Sequence, residues 1–94
     1  MTIASIEKKV VQIIRKYLGM DAPIYLFGSW AKGNARPNSD IDIGIRIHKQ
    51  DRQNFYRIRT EIDELRTLRK IDIIDLSLVS KKFSKHILKY AIRL

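Results

Sequence analysis

Two aspartates, Asp40 and Asp42, alternate with isoleucines in the stretch DIDIGI at residues 40–45. On a strand, successive side chains point to opposite faces, so both carboxylates project from one side, about 7 Å apart along the chain. Two like charges on an apolar strand repel each other, and desolvation sharpens that repulsion. A hard divalent cation between them removes the difficulty. A ligand set of oxygens alone, with no His or Cys, favours Mg²⁺ or Mn²⁺ over zinc. Mg²⁺ usually takes one or two carboxylates and fills its shell with substrate phosphates and water.

A place for phosphates lies upstream, in FGSWAKG at residues 27–33. Gly28 and Ser29 end an apolar run, where backbone N–H groups and a hydroxyl can face an anion. Lys32 adds a positive charge one turn further on, and Gly33 lets the chain turn again. These residues assemble into a metal–triphosphate site. A metal between phosphate and carboxylates can polarise the phosphoryl oxygens and activate a hydroxyl nucleophile. A second ion requires a third carboxylate, and KIDIIDLS at residues 70–77 offers Asp72 and Asp75. They are three apart, so on a strand only one of them can join the cluster, as a ligand or as the base for an incoming hydroxyl.

The elements that must position these groups follow from periodicity. Ile3, Ile6, Val10, Ile13, Ile14 and Tyr17 have helical spacing, and Gly19 is placed to end that helix. Residues 24–27, IYLF, read as a short strand, and residues 29–33 hold about one helical turn. Residues 34–39 are loop by composition. Residues 40–47 alternate with the period of a strand, with Ile41, Ile43, Ile45 and Ile47 on one face. The spacing of Phe55, Ile58, Ile62 and Leu65 predicts a helix over 51–69. Residues 70–79 read as a third strand. Residues 81–92 read as a last helix, with Ser80 as N-cap and Phe83, Ile87, Leu88 and Ala91 inward. The expected architecture is a small α/β domain with a mixed sheet of about three strands flanked by helices.

Length and composition bound the rest. A chain of 94 residues makes one domain, spanning 1–94, and 45 % apolar residues are enough for a core. The absence of cysteine excludes disulfides and thiolate metal sites. No apolar run approaches the ~20 residues of a membrane span, and no signal-peptide pattern opens the chain, so no membrane is expected and the cytoplasm is the default compartment. The net charge of +9 points to a polyanionic partner: nucleic acid, nucleotide phosphates or an acidic protein surface. On the second long helix Arg52, Arg59 and Arg66 share one line beside Tyr56. That line could meet RNA or an acidic partner, or it could be a solvated face with Asp63 pairing to Arg59 or Arg66. His48 and His86 read as surface residues. Trp30 either packs under the loop or stacks on a base or partner.

Gly28-Ser29, Ala31-Lys32-Gly33 and Ser39-Asp40-Ile41-Asp42 resemble the GSxARGxxxxxSDxDL signature of the minimal nucleotidyltransferases, in the DNA polymerase beta superfamily. The resemblance covers nearly the whole chain. It implies Mg²⁺-dependent transfer of a nucleoside monophosphate from a nucleoside triphosphate, ATP above all, with release of pyrophosphate. It implies that Gly28, Ser29, Lys32 and Ser39 bind the nucleotide, and that Asp40, Asp42 and a third carboxylate hold two ions. Asp72 matches the family's third position better than Asp75. Lys32 stands where the family usually has Arg; a lysine cannot make a bidentate contact, although Arg36 is a second cation in the same loop. Such proteins commonly serve as antitoxins that transfer AMP to a tyrosine of a HEPN toxin partner in a hetero-oligomer, and the lack of a second, acceptor-binding domain suits that role. Transfer to an RNA end or a small molecule, and neutralisation of a partner by binding alone, are the other functions to be weighed.

Overall fold

The computed structural model describes residues 2–94. Helix α1 (Ile3–Leu18) forms because Ile6, Val10 and Ile14 recur every four residues and bury one stripe completely. The Thr2 hydroxyl caps its start by accepting from the Ser5 N–H, and Gly19, at φ 93°, ends it. Strand β1 (Ile24–Phe27) leads into the single turn α2 (Ser29–Lys32), then a loop, then β2 (Ile41–Ile45). A 3-10 turn at Lys49–Asp51 enters α3 (Arg52–Asp63); β3 (Ile71–Asp75), α4 (Lys81–Leu88) and β4 (Ile92–Arg93) follow.

The sheet has the order β3-β2-β1-β4. β1 is antiparallel to β2 and to β4, and β2 is parallel to β3, joined through α3. Ile41, Ile43 and Ile45 are fully buried in a core shared with Ile6, Val10 and Ile14 of α1 and Ile58 and Ile62 of α3. The alternation of β2 therefore leaves Asp42 and Gly44 on the other face. Gly44 is covered there by Leu76: a Cβ at that position would lie 3.1 Å from Leu76 Cδ1.

Four differences from the periodicity reading have clear causes. A fourth strand exists, because the last helix stops at Leu88 and residues 92–93 pair with β1; two residues carry no periodicity of their own. Phe83 is 49 % exposed, since α4 turns Ser84 and Ile87 toward the sheet instead. The second long helix ends at Asp63, and Leu65 continues its apolar spacing from a loop, packed against the core. Arg66 is thus outside the helix and off the line of Arg52 and Arg59, and Asp63 forms no ion pair with Arg59 or Arg66. Ser80 does cap α4, accepting from the Phe83 N–H at 3.1 Å. Among the described residues, no helix is long and apolar enough to cross a membrane.

Candidate active site

The site is built across three strands. β1 ends at Phe27, opposite Asp42 of β2, and Asp42 in turn stands opposite Asp72 of β3. Gly28, Asp42 and Asp72 are therefore brought together by register. Gly28 has φ 74° and ψ −152°, a backbone region essentially reserved for glycine. A Cβ there would fall 2.3 Å from Asp42 Oδ2, so the carboxylate occupies the space that a side chain would need. Asp40 lies just before β2 and is exposed.

Charge at the cluster is not balanced. Burial pushes the Asp42 carboxyl above the usual aspartate range, and the negative charges of Asp72 and then Asp40 push it the same way, against a smaller opposing pull from Lys70. Lys70 Nζ is 3.7 Å from Asp72 Oδ1. Among the described residues no three acidic, histidine or cysteine side chains form a ready-made metal cage. The donor set nevertheless fits Mg²⁺: it is all oxygen, its members repel one another, and this ion ordinarily completes its shell with phosphate and water.

Asp75 is on the opposite face and is spoken for. It stands beside Ile45, buried, and its Oδ1 accepts from the Ile47 N–H (3.2 Å), the Ser77 N–H (2.9 Å) and the Ser77 hydroxyl (2.7 Å). Its other oxygen has the Arg52 guanidinium at 3.7 Å. The register thus answers the choice that spacing left open: Asp72, and not Asp75, neighbours Asp42.

The turn into α2 carries the residues that the sequence assigns to phosphate. The leading N–H groups of a helix have no intrahelical acceptor, and Lys32 N–H is the first to close on Gly28 O, at 3.1 Å. Ser29 is half-buried at the head of this turn, and Lys32 is exposed at its end. Ser39 shapes the loop: its hydroxyl accepts from the Arg36 N–H at 2.8 Å, and its own N–H donates to Arg36 O at 2.9 Å. Trp30 follows the packing reading. Its Nε1 donates to Ser39 O at 3.1 Å, its ring is half-buried against the core, and the Arg69 guanidinium lies 5.4 Å from the ring centre. Arg69 also donates to Pro37 O. The loop before the aspartates is therefore pinned from both sides.

Arg36 is exposed in that loop, and His48 and His86 are surface residues, as their isolation in the sequence implies. Spacing missed Lys70, although its position two before Asp72 already set both side chains on one face of the strand.

The match to the family model described as "Polymerase beta, Nucleotidyltransferase" runs over residues 8–94, so the chain belongs to the polymerase beta-like nucleotidyltransferase family. A search of curated protein sequences finds no match. Among solved structures, the chain is similar to a protein described as a candidate minimal nucleotidyltransferase: TM-score 0.76, 21 % identity, covering 100 % of this chain and 97 % of that one. It is also similar to a chain in a toxin–antitoxin structure with AMP-PNP, with TM-score 0.63, 24 % identity, and 93 % and 70 % of the two chains covered. A structure of the toxin–antitoxin pair MntA–HpeT carrying two Asp-to-Glu substitutions gives TM-score 0.62 at 22 % identity, with 93 % and 70 % covered. These likenesses establish the nucleotidyltransferase fold.

Proposed function

We propose that this nucleotidyltransferase moves AMP from ATP to a tyrosine hydroxyl of a partner HEPN toxin, in the cytoplasm, and acts as that toxin's antitoxin. The observation that carries the transferase chemistry is the register Gly28–Asp42–Asp72, which aligns a phosphate turn, a carboxylate and a second carboxylate across three strands. Asp40, Asp42 and Asp72 would hold two Mg²⁺ ions. Bound there, the metal would polarise the α-phosphoryl group and offset the charge developing on the leaving pyrophosphate.

The chain's own residues divide the remaining work. Gly28, Ser29 and the leading N–H groups of α2 receive the triphosphate, with Lys32 at its outer end. Ser39 holds the loop that delivers Asp40 and Asp42. Lys70 faces Oδ1 of Asp72, which leaves Oδ2 to take the proton of the incoming hydroxyl. The acceptor oxygen then forms a bond to the α-phosphorus, the bond from that phosphorus to the bridging oxygen breaks, and pyrophosphate leaves. The toxin reading is supported by the naming of structural neighbours as toxin–antitoxin assemblies, one of them with AMP-PNP. The net charge of +9 favours a second reading, an RNA end as acceptor.

The test is incubation of the protein with α-labelled ATP, Mg²⁺ and a co-expressed partner, beside Asp40→Asn and Asp42→Asn. Label on the partner, lost in both variants, is expected. Label on RNA would select the second reading. Neutralisation of the partner that persists in both variants, without label anywhere, would overturn the transferase reading in favour of inhibition by binding.

A further inference from the structure

Nothing in the phosphate turn or the carboxylate cluster reads a base, yet a nucleotide held there must place its base somewhere. One aromatic ring is tied to the phosphate side of the site. Tyr90, just beyond the end of α4, is 55 % exposed, and its ring centre lies 5.8 Å from Lys32 Nζ. Lys89 Nζ is 5.4 Å from the same ring. Of the other aromatics beside the turn, Phe27 is half-buried at the end of β1, opposite Asp42, and Trp30 is committed to Ser39 and covered by Arg69. Tyr56 and Phe83 are exposed on α3 and α4, where Tyr56 meets the edge of Phe55.

We infer that Tyr90 is the stacking ledge for the nucleobase, and that Lys32 and Lys89 cover its ring until a triphosphate draws them away. The inference rests on the nucleotide-transfer reading above and adds the base subsite to it. An ammonium over an exposed ring is weakly held. A triphosphate offers the same lysines charge-assisted hydrogen bonds, which are stronger. Triphosphate binding therefore uncovers the ring as it recruits the cations. A ring face accepts any base, so this ledge grades nucleotides by stacking area and not by base edges. Purines should be preferred to pyrimidines, with little separation of ATP from GTP.

Calorimetric titration in Mg²⁺ buffer, with no acceptor present, tests this with ATP, GTP and inorganic tripolyphosphate as separate probes. Loss of a stacking partner is worth roughly five- to a hundred-fold in affinity. Tyr90→Ala should weaken ATP about ten-fold or more, leave tripolyphosphate unchanged, and be rescued by Tyr90→Phe. Lys32→Ala should weaken both probes. Equal weakening of ATP and tripolyphosphate by Tyr90→Ala, no effect on either, or strong discrimination between ATP and GTP would each overturn the ledge. A parent protein that binds tripolyphosphate as well as it binds ATP would overturn it too, while leaving the phosphate site standing. A parent that binds neither probe would instead remove the nucleotide reading itself.

Discussion

At the scale of single residues, two aspartates three positions apart have opposite duties. Asp72 shares a face with Asp42 and is partly open to solvent, whereas Asp75 is buried and accepts three hydrogen bonds. Asp75→Ala would remove the acceptor of the Ile47 and Ser77 N–H groups and leave Arg52 without its carboxylate, while the Ser77 hydroxyl keeps Ile47 O. The expected cost is about 3 kcal/mol, or roughly 12–24 °C in Tm, with ATP binding by the folded fraction retained. Asp72→Ala should leave Tm almost unchanged and lower transfer by on the order of 10²–10⁴-fold. Thermal melts beside single-turnover assays separate the two. Asp42 carries a different signature, because its native carboxyl is raised above the unfolded value, chiefly by burial and then by its acidic neighbours. The stability linked to it is complete below the ordinary aspartate range and is lost as pH rises through the raised native value. In metal-free buffer Asp42→Asn should therefore be more stable than the parent at neutral pH, and that advantage should vanish near about pH 3. Urea melts across pH would show it; a constant difference at every pH would count against the repulsion.

At the scale of elements, what matters is where each one stops. α2 is one turn long because glycines bound it: Gly28 begins it and Gly33, left-handed at φ 78°, closes it by donating to Ser29 O. α4 is started by Ser80 and stops at Leu88, which frees residues 89–91 to pass Lys32 and residues 92–93 to join β1. Ser80→Ala removes the acceptor of the Phe83 N–H and should cost about 1 kcal/mol, a fall of roughly 4–8 °C in Tm. Circular dichroism melts measure this directly. If α4 is what presents Tyr90, the same variant should also weaken ATP slightly and tripolyphosphate not at all.

At the scale of the molecule, the radius of gyration of 12.7 Å is that of a folded chain of this length, about 12.4 Å. Into that volume are gathered nineteen cations against ten anions. Such an excess repels itself within the fold while attracting polyphosphate from outside. Salt should act on these two effects in opposite directions. Between about 0.05 M and 0.5 M NaCl, where the screening length falls from roughly 14 Å to 4 Å, the Kd for ATP should rise several-fold while Tm rises. Titration and melts in the same buffers check both. A Kd indifferent to salt would mean that contacts other than charge dominate nucleotide binding.

Much of the site is local and therefore written in the chain. The alternation at residues 40–45 puts Asp40 and Asp42 on one side, and Gly-Ser at the end of an apolar run marks the turn, since both depend only on neighbours two or three residues away. Family resemblance then supplied the reaction class, and the match over residues 8–94 shows the family. Other features depend on partners distant in the chain. The choice of Asp72 over Asp75 came from a parallel register with β2, thirty residues earlier, and from hydrogen bonds to Ile47 and Ser77. The fourth strand needed β1 as a template, the end of α3 was masked by Leu65 packing from a loop, and Tyr90 met Lys32 only through folding. Periodicity reports which face of an element is apolar; register between strands and contacts between ends are set by packing, and only the tertiary structure could decide them.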